Sequence, residues 1–224
     1  MRASLADQGG GSAALSGCSL AIALGANLPS PAGDPLDTLI AVRPLLSQQL
    51  GHWLSTEVRL AALSSTDLPP AARLRWSPLF ATPPLGGPPA QPDYINAVLL
   101  AELPQGSSPC RPEGAAHALL ARLQALEQCF GRERHGHWAP RSLDLDLLWI
   151  GVTRLQDPLL QLPHPRLLER AFVLAPLAAI DPELSLAAVD PLGRPAATLL
   201  ANVLAADPSQ RVRTLPARPG WPEG

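Results

Sequence analysis

Arg141-Ser142-Leu143-Asp144-Leu145-Asp146-Leu147-Leu148-Trp149-Ile150 places two carboxylates inside an apolar run. Leu, Trp and Ile dominate it, so the spacing predicts an extended, largely buried strand. Side chains alternate between the two faces of a strand, which puts Asp144 and Asp146 on the same face. Two like charges that close repel each other and lose hydration, and they persist where positive charge sits between them. Divalent metal ions, which prefer hard oxygen ligands, are the natural candidates. The plainer alternative is that Asp144 pairs with Arg141 beside a solvated turn.

Working outward, Gly131-Arg132-Glu133-Arg134-His135-Gly136-His137-Trp138-Ala139-Pro140-Arg141 leads straight into this strand and reads as a loop. Arg132, Arg134 and Arg141 offer planar, permanently charged forks that match phosphate oxygens. Metal-binding carboxylates beside converging arginines are the parts that phosphoryl transfer needs. Composition narrows the chemistry further. The 224 residues contain no lysine, so all 17 basic side chains are Arg and a lysine-bearing P-loop is excluded. A net charge of −2 argues against a general nucleic-acid surface. No apolar run is long enough for a membrane span. Cys18, Cys110 and Cys129 show no CxxC spacing and are odd in number, which fits a reducing cytoplasm and small buried side chains.

The chain divides into a leader over 1–17, expected to be disordered, a domain over 18–206 with an insertion at 51–73, and a mobile Pro/Arg-rich tail over 207–224. Cys18–Leu24 reads as a buried strand closed by a Gly25-Ala26-Asn27 turn. Asp34-Pro35 is a helix start, and Pro44 is expected to kink or shorten that helix. Leu74–Ala81 suits an edge strand because of Pro78, and Tyr94–Leu103 is a second strand. Pro112–Phe130 is a helix with Leu119, Leu120, Leu123, Leu126 and Phe130 on one face and Gly131 as its stop. A further short helix follows Leu162-Pro163-His164-Pro165, and 195–205 reads as another. The order strand, helix, strand, strand, helix, strand predicts an α+β fold, a ferredoxin-like sandwich. Its antiparallel sheet is expected to carry helices on one face and substrate loops at the other.

Taken in order, the motifs resemble one family, the 6-hydroxymethyl-7,8-dihydropterin pyrophosphokinases of folate biosynthesis. The resemblance rests on Leu24-Gly25-Ala26-Asn27, Thr82-Pro83-Pro84-Leu85-Gly86, Gln91-Pro92-Asp93-Tyr94-Ile95-Asn96, Gly131-Arg132-Glu133-Arg134, Trp138 through Asp146, Pro163-His164-Pro165 and Arg170-Ala171-Phe172-Val173-Leu174. It implies transfer of pyrophosphate from ATP to the pterin hydroxymethyl group with release of AMP. It implies that Asp144 and Asp146 hold two Mg²⁺ ions. Arg132, Arg134, Arg141, His164 and Arg170 are then expected around the phosphates. Tyr94 and Phe172 match the family's stacking pair for the pterin, and Asn96 reads its pyrimidine edge. Thr82, Pro83 and Leu85 match the loop along the ring, and Trp138 an aromatic that seals the site. Gln124 and Glu127 match a nucleotide-contacting pair.

Three departures stand out. Ala26 replaces a Ser, the arginine loop is slightly short, and Leu159 stands where some members carry Arg. No aldolase or synthase domain fits in the remaining residues, so a stand-alone, cytoplasmic, monomeric enzyme is expected, with small-molecule substrates only. Two other readings use the same residues. One is a two-metal transferase with another acceptor, which needs no Tyr94–Asn96–Phe172 constellation. The other is a non-catalytic binding module, against which the intact carboxylate pair and arginines count.

Overall fold

Apolar alternation on both faces of the central strands dictates a sheet covered on two sides, and that is the architecture found. A computed structural model describes residues 19–60, 72–87, 90–103, 107–109, 112–133, 139–187 and 189–222. The predicted leader 1–17 and residues 61–71 of the predicted insertion lie outside these. The strands are β1 (Ser19–Ala26), β2 (Val58–Leu60), β3 (Arg73–Trp76), β4 (Phe80–Thr82), β5 (Tyr94–Glu102), β6 (Ser107–Pro109), β7 (Asp144–Ile150), β8 (Leu155–Gln156), β9 (Gln161–Leu162) and β10 (Arg213–Thr214). The helices are α1 (Pro35–Glu57), α2 (Pro112–Cys129), α3 (Ala171–Ile180) and α4 (Ala196–Ala206).

The main sheet runs β10-β4-β5-β1-β7, with β3 also paired to β5, and every described pairing in it is antiparallel. This is the expected α+β sandwich. Leu20, Ile22, Leu24, Leu145 and Leu147 face α1 and α2. Ala21, Ala23, Val98, Leu100 and Leu148 face the other way, and there the expectation of a helix-free face fails. That side is covered by Val173, Leu174 and Leu177 of α3 and by Ala196 and Leu199 of α4. The physical reason is the apolar content of the second face, which loops could not keep dry.

Three further expectations are corrected. α1 runs unbroken through Pro44 and includes residues 51–57, so the start of the predicted insertion is helix. Leu46, Leu50 and Trp53 continue its buried stripe at helical spacing, and Trp53 Nε1 donates to the Ala115 carbonyl at 2.8 Å. The strand expected at 74–81 is interrupted at Ser77–Leu79, where the Ser77 hydroxyl accepts from the Val98 N–H at 2.9 Å. The predicted mobile tail is docked through residue 222. β10 pairs with β4, the Trp221 indole donates to the Ser77 carbonyl at 2.8 Å, and its ring meets Trp76 edge-on at 5.4 Å. No described helix is long and apolar enough to cross a membrane.

Candidate active site

Strand register builds the floor of the site. Gly25 of β1 lies opposite Asp144 of β7 on one side and Asn96 of β5 on the other. Ala23 lies opposite Asp146 and Val98 in the same way. The two carboxylates thus share one face, as the alternation requires, and small residues between the flanking strands leave room above the sheet. Gly25, expected in a turn, lies within β1. A Cβ there would stand 3.0 Å from Asn96 Oδ1, so the glycine permits the close approach.

Above this floor opens a cavity of about 350 Å³. Its lining includes Thr82, Pro83, Leu85, Tyr94, Asn96 and Phe172 together with Arg141, Asp144, Asp146, His164 and Arg170. These eleven of the predicted residues border one space; Arg132 is not among its lining. Thr82 ends β4, and its hydroxyl accepts from Asn96 Nδ2 at 2.8 Å, which fixes the amide so that Oδ1 points the other way. Asn27 ties the surrounding loops together: its Oδ1 accepts from the Arg141 N–H at 2.8 Å and its Nδ2 donates to the Pro92 carbonyl at 3.3 Å. It belonged to a motif but had been given no role.

The electrostatics are dense. Asp144 pairs with Arg141, and its Oδ1 lies 2.6 Å from Arg132 Nη1. The plainer reading of the sequence, an Asp144–Arg141 ion pair, is therefore correct as far as it goes. That same Oδ1 is buried and makes no hydrogen bond of acceptable geometry. Asp146 faces Arg170 at 3.7 Å. Burial, then the neighbouring Asp144 charge, holds its carboxyl above the usual range. About a third of its side-chain surface stays open. Two hard carboxylates on one face, one with an oxygen paired to Arg132 by charge but not by a well-formed hydrogen bond and one destabilised as an anion, fit a divalent cation completed by phosphate oxygens. Among the described residues no cluster of three or more His, Cys, Asp or Glu exists that would form a metal cage without such help.

His164 is set by a bulge. Between Ala21 and Ile22 the β1–β7 register slips by one, and the carbonyl of the extra residue, Leu148, accepts from the His164 N–H at 2.8 Å. Its Nδ1 accepts from the Arg166 N–H at 3.2 Å, so the remaining proton of the neutral ring belongs on Nε2. Burial and the Arg170 charge push its pKa down to about 4. Arg170 lies over the Phe172 ring at 5.3 Å.

Glu127 departs from the expected nucleotide contact. It is 4% exposed, its carboxylate accepts from the Leu145 N–H at 2.8 Å, and it pairs with Arg132. Burial pushes it up to about 7, against the pull of Arg132 and the Leu145 amide. It secures the end of α2 to β7, with Arg132 bridging it to Asp144. Helical spacing placed Glu127 beside Gln124 but could not show which way the turn faced; Gln124 is half-buried and lines no part of the cavity. Leu159 is 78% exposed and also stands apart from it. Arg134 and Trp138 lie outside the described residues.

The cavity gathers paired carboxylates, arginines and aromatic rings, the parts that a phosphoryl-transfer enzyme needs. The chain belongs to the 7,8-dihydro-6-hydroxymethylpterin-pyrophosphokinase (HPPK) family, whose profile matches residues 21–182; it is an ATP-dependent diphosphotransferase. It is 41% identical over 157 residues to the 2-amino-4-hydroxy-6-hydroxymethyldihydropteridine pyrophosphokinase of Pseudomonas aeruginosa, covering 70% of this chain and 86% of that one. To the protein of the same name in Haemophilus influenzae it is 35% identical over 165 residues, covering 74% and 82%. A crystal structure of Plasmodium falciparum HPPK-DHPS A437G overlaps it with a TM-score of 0.46 at 11% identity, covering 87% of this chain and 47% of that one.

Proposed function

We propose that this protein transfers the β,γ-diphosphate of ATP to the hydroxymethyl group of 6-hydroxymethyl-7,8-dihydropterin, a step of folate biosynthesis. The observation that carries this reading is that aromatic and amide side chains share one cavity with paired carboxylates and arginines. A flat, polar ring needs aromatic faces and an edge of aligned donors and acceptors; a triphosphate needs cations. Tyr94 and Phe172 are assigned the ring faces, Asn96 Oδ1 its amino edge, and the Thr82–Leu85 loop its flank.

The hydroxymethyl oxygen attacks the β-phosphorus, the bond from that phosphorus to the α–β bridging oxygen breaks, and AMP leaves with the oxygen. The hydroxyl proton is lost as the new P–O bond forms. Asp144 and Asp146 would hold Mg²⁺. When bound, Mg²⁺ neutralises triphosphate charge and supports the charge developing at the β-phosphorus. Arg132 and Arg141 exchange carboxylate for phosphate partners as ATP arrives, Arg134 is assigned to the phosphates beside them, and Arg170 and the His164 Nε2–H donate to the transferred group. Trp138 is assigned to sealing the cavity. The work is positioning and charge stabilisation rather than strong base catalysis. Calorimetric titration of dihydropterin into the protein with a non-hydrolysable ATP analogue and Mg²⁺ tests the assignment. Saturable binding is expected, and its absence at millimolar pterin would refute it.

A further inference from the structure

Gln210 lies beyond the family-matched residues 21–182 and outside the cavity lining, yet it brackets a residue of the site. Its Oε1 accepts from the Ala171 N–H at 2.9 Å, and its Nε2 donates to the Glu169 carbonyl at 3.0 Å. The residue between those two is Arg170, which faces Asp146 and lies over Phe172. Ala171 opens α3, and the N-cap Arg170 gives that helix no side-chain cap. The first N–H groups of a helix need outside acceptors, and Gln210 supplies one from 39 residues along the chain. An amide is suited to both ends of this bracket because it donates and accepts without charge.

The segment that carries Gln210 also grips β4. Arg213 of β10 pairs with Ala81 of β4, directly before Thr82, and the Leu215 N–H donates to the Leu79 carbonyl at 2.8 Å. Between Phe172, the Thr82–Leu85 loop and residues 210–212 only about 10 Å³ is left, room for roughly one water. One stretch of chain therefore packs behind both Phe172 and the Thr82–Leu85 loop.

We infer that Gln210 is a positioning residue for the pterin: through Glu169 and Ala171 it fixes the angle at which α3 presents Arg170 and Phe172 to the cavity. This rests on the pterin reading of the cavity given above. A purely structural cap would lower the melting temperature and leave the relative affinity for the two substrates unchanged.

The test uses the full chain with Gln210→Ala and Gln210→Glu. Dihydropterin binding and Mg²⁺–ATP binding are each measured by calorimetry, with KM for both substrates and the melting temperature alongside. Gln210→Ala is expected to weaken pterin binding about tenfold, because Phe172 loses its fixed angle, and Mg²⁺–ATP binding by a smaller factor, because Arg170 also faces the transferred group. Gln210→Glu keeps an acceptor for Ala171 and loses the donor to Glu169, so it should recover part of the pterin affinity. Equal weakening of both substrates, or a lowered melting temperature with unchanged pterin affinity, would overturn the inference. Should Gln210→Ala fail to fold, wild-type pterin affinity in Gln210→Glu would overturn it equally. A wild-type protein that binds no dihydropterin would instead overturn the reading of the cavity, and this inference with it.

Discussion

Asp144 and Asp146 are chemical twins two residues apart in very different company. Asp144 is held by Arg132 and Arg141, whereas Asp146 has Arg170 at a distance and a carboxyl pushed upward by burial and by its twin. Asp146→Asn removes a poorly solvated charge and keeps the shape. It should leave the melting temperature unchanged or raised while cutting single-turnover AMP release by about a hundredfold or more; full activity would sink the metal assignment. Asn96→Ala should weaken dihydropterin binding far more than ATP binding, because the amide offers the paired donor and acceptor that a pterin edge needs; equal losses in paired titrations would make Asn96 structural. His164 gives a pH signature. Its pKa falls from 6.5 to about 4 on folding, so the fold favours the neutral ring. That contribution is whole above pH 6.5 and is lost as pH drops toward 4, because the unfolded chain takes up a proton first. The stability advantage of wild type over His164→Gln should therefore shrink on acidification, by up to roughly 3 kcal/mol, as read from urea melts across that range. A difference that does not change with pH would contradict a buried neutral imidazole.

Elements with strong local patterns were legible, and elements held by distant partners were not. β7 and α2 carry their periodicity within themselves, so the carboxylate face and the Leu119–Leu123–Leu126 stripe follow from spacing alone. The end of α1 was obscured because Gly51 and a mixed run mask the helical step from Leu50 to Trp53. The C-terminal stretch has no period at all; its order comes from long-range contacts, among them one short strand pairing, the Gln210 hydrogen bonds and Trp221. Glu127 and Gln210 escaped for the same reason, since a polar residue's long-range hydrogen bond leaves no mark on hydropathy. Trp221→Ala deletes a 6%-exposed indole, its hydrogen bond and its contact with Trp76. It should cost about 3 kcal/mol in denaturant unfolding. A loss under about 0.5 kcal/mol would mean that the C-terminal segment is not docked in solution.

Across the molecule, one face of the sheet is closed by α1 and α2, and the other is closed by α3 and α4 only as far as Ala23. The uncovered end, where β1, β5 and β7 bring Gly25, Asn96 and Asp144 side by side, is the floor of the cavity. Among the described residues, members of motifs scattered from residue 24 to residue 172 border this one opening. The direct measurement is phosphorus NMR of the protein with ATP, Mg²⁺ and 6-hydroxymethyl-7,8-dihydropterin, beside a control lacking pterin. AMP and a pterin diphosphate should appear together and only when pterin is present. ADP in place of AMP, or AMP without a pterin diphosphate, would contradict pyrophosphoryl transfer to the pterin.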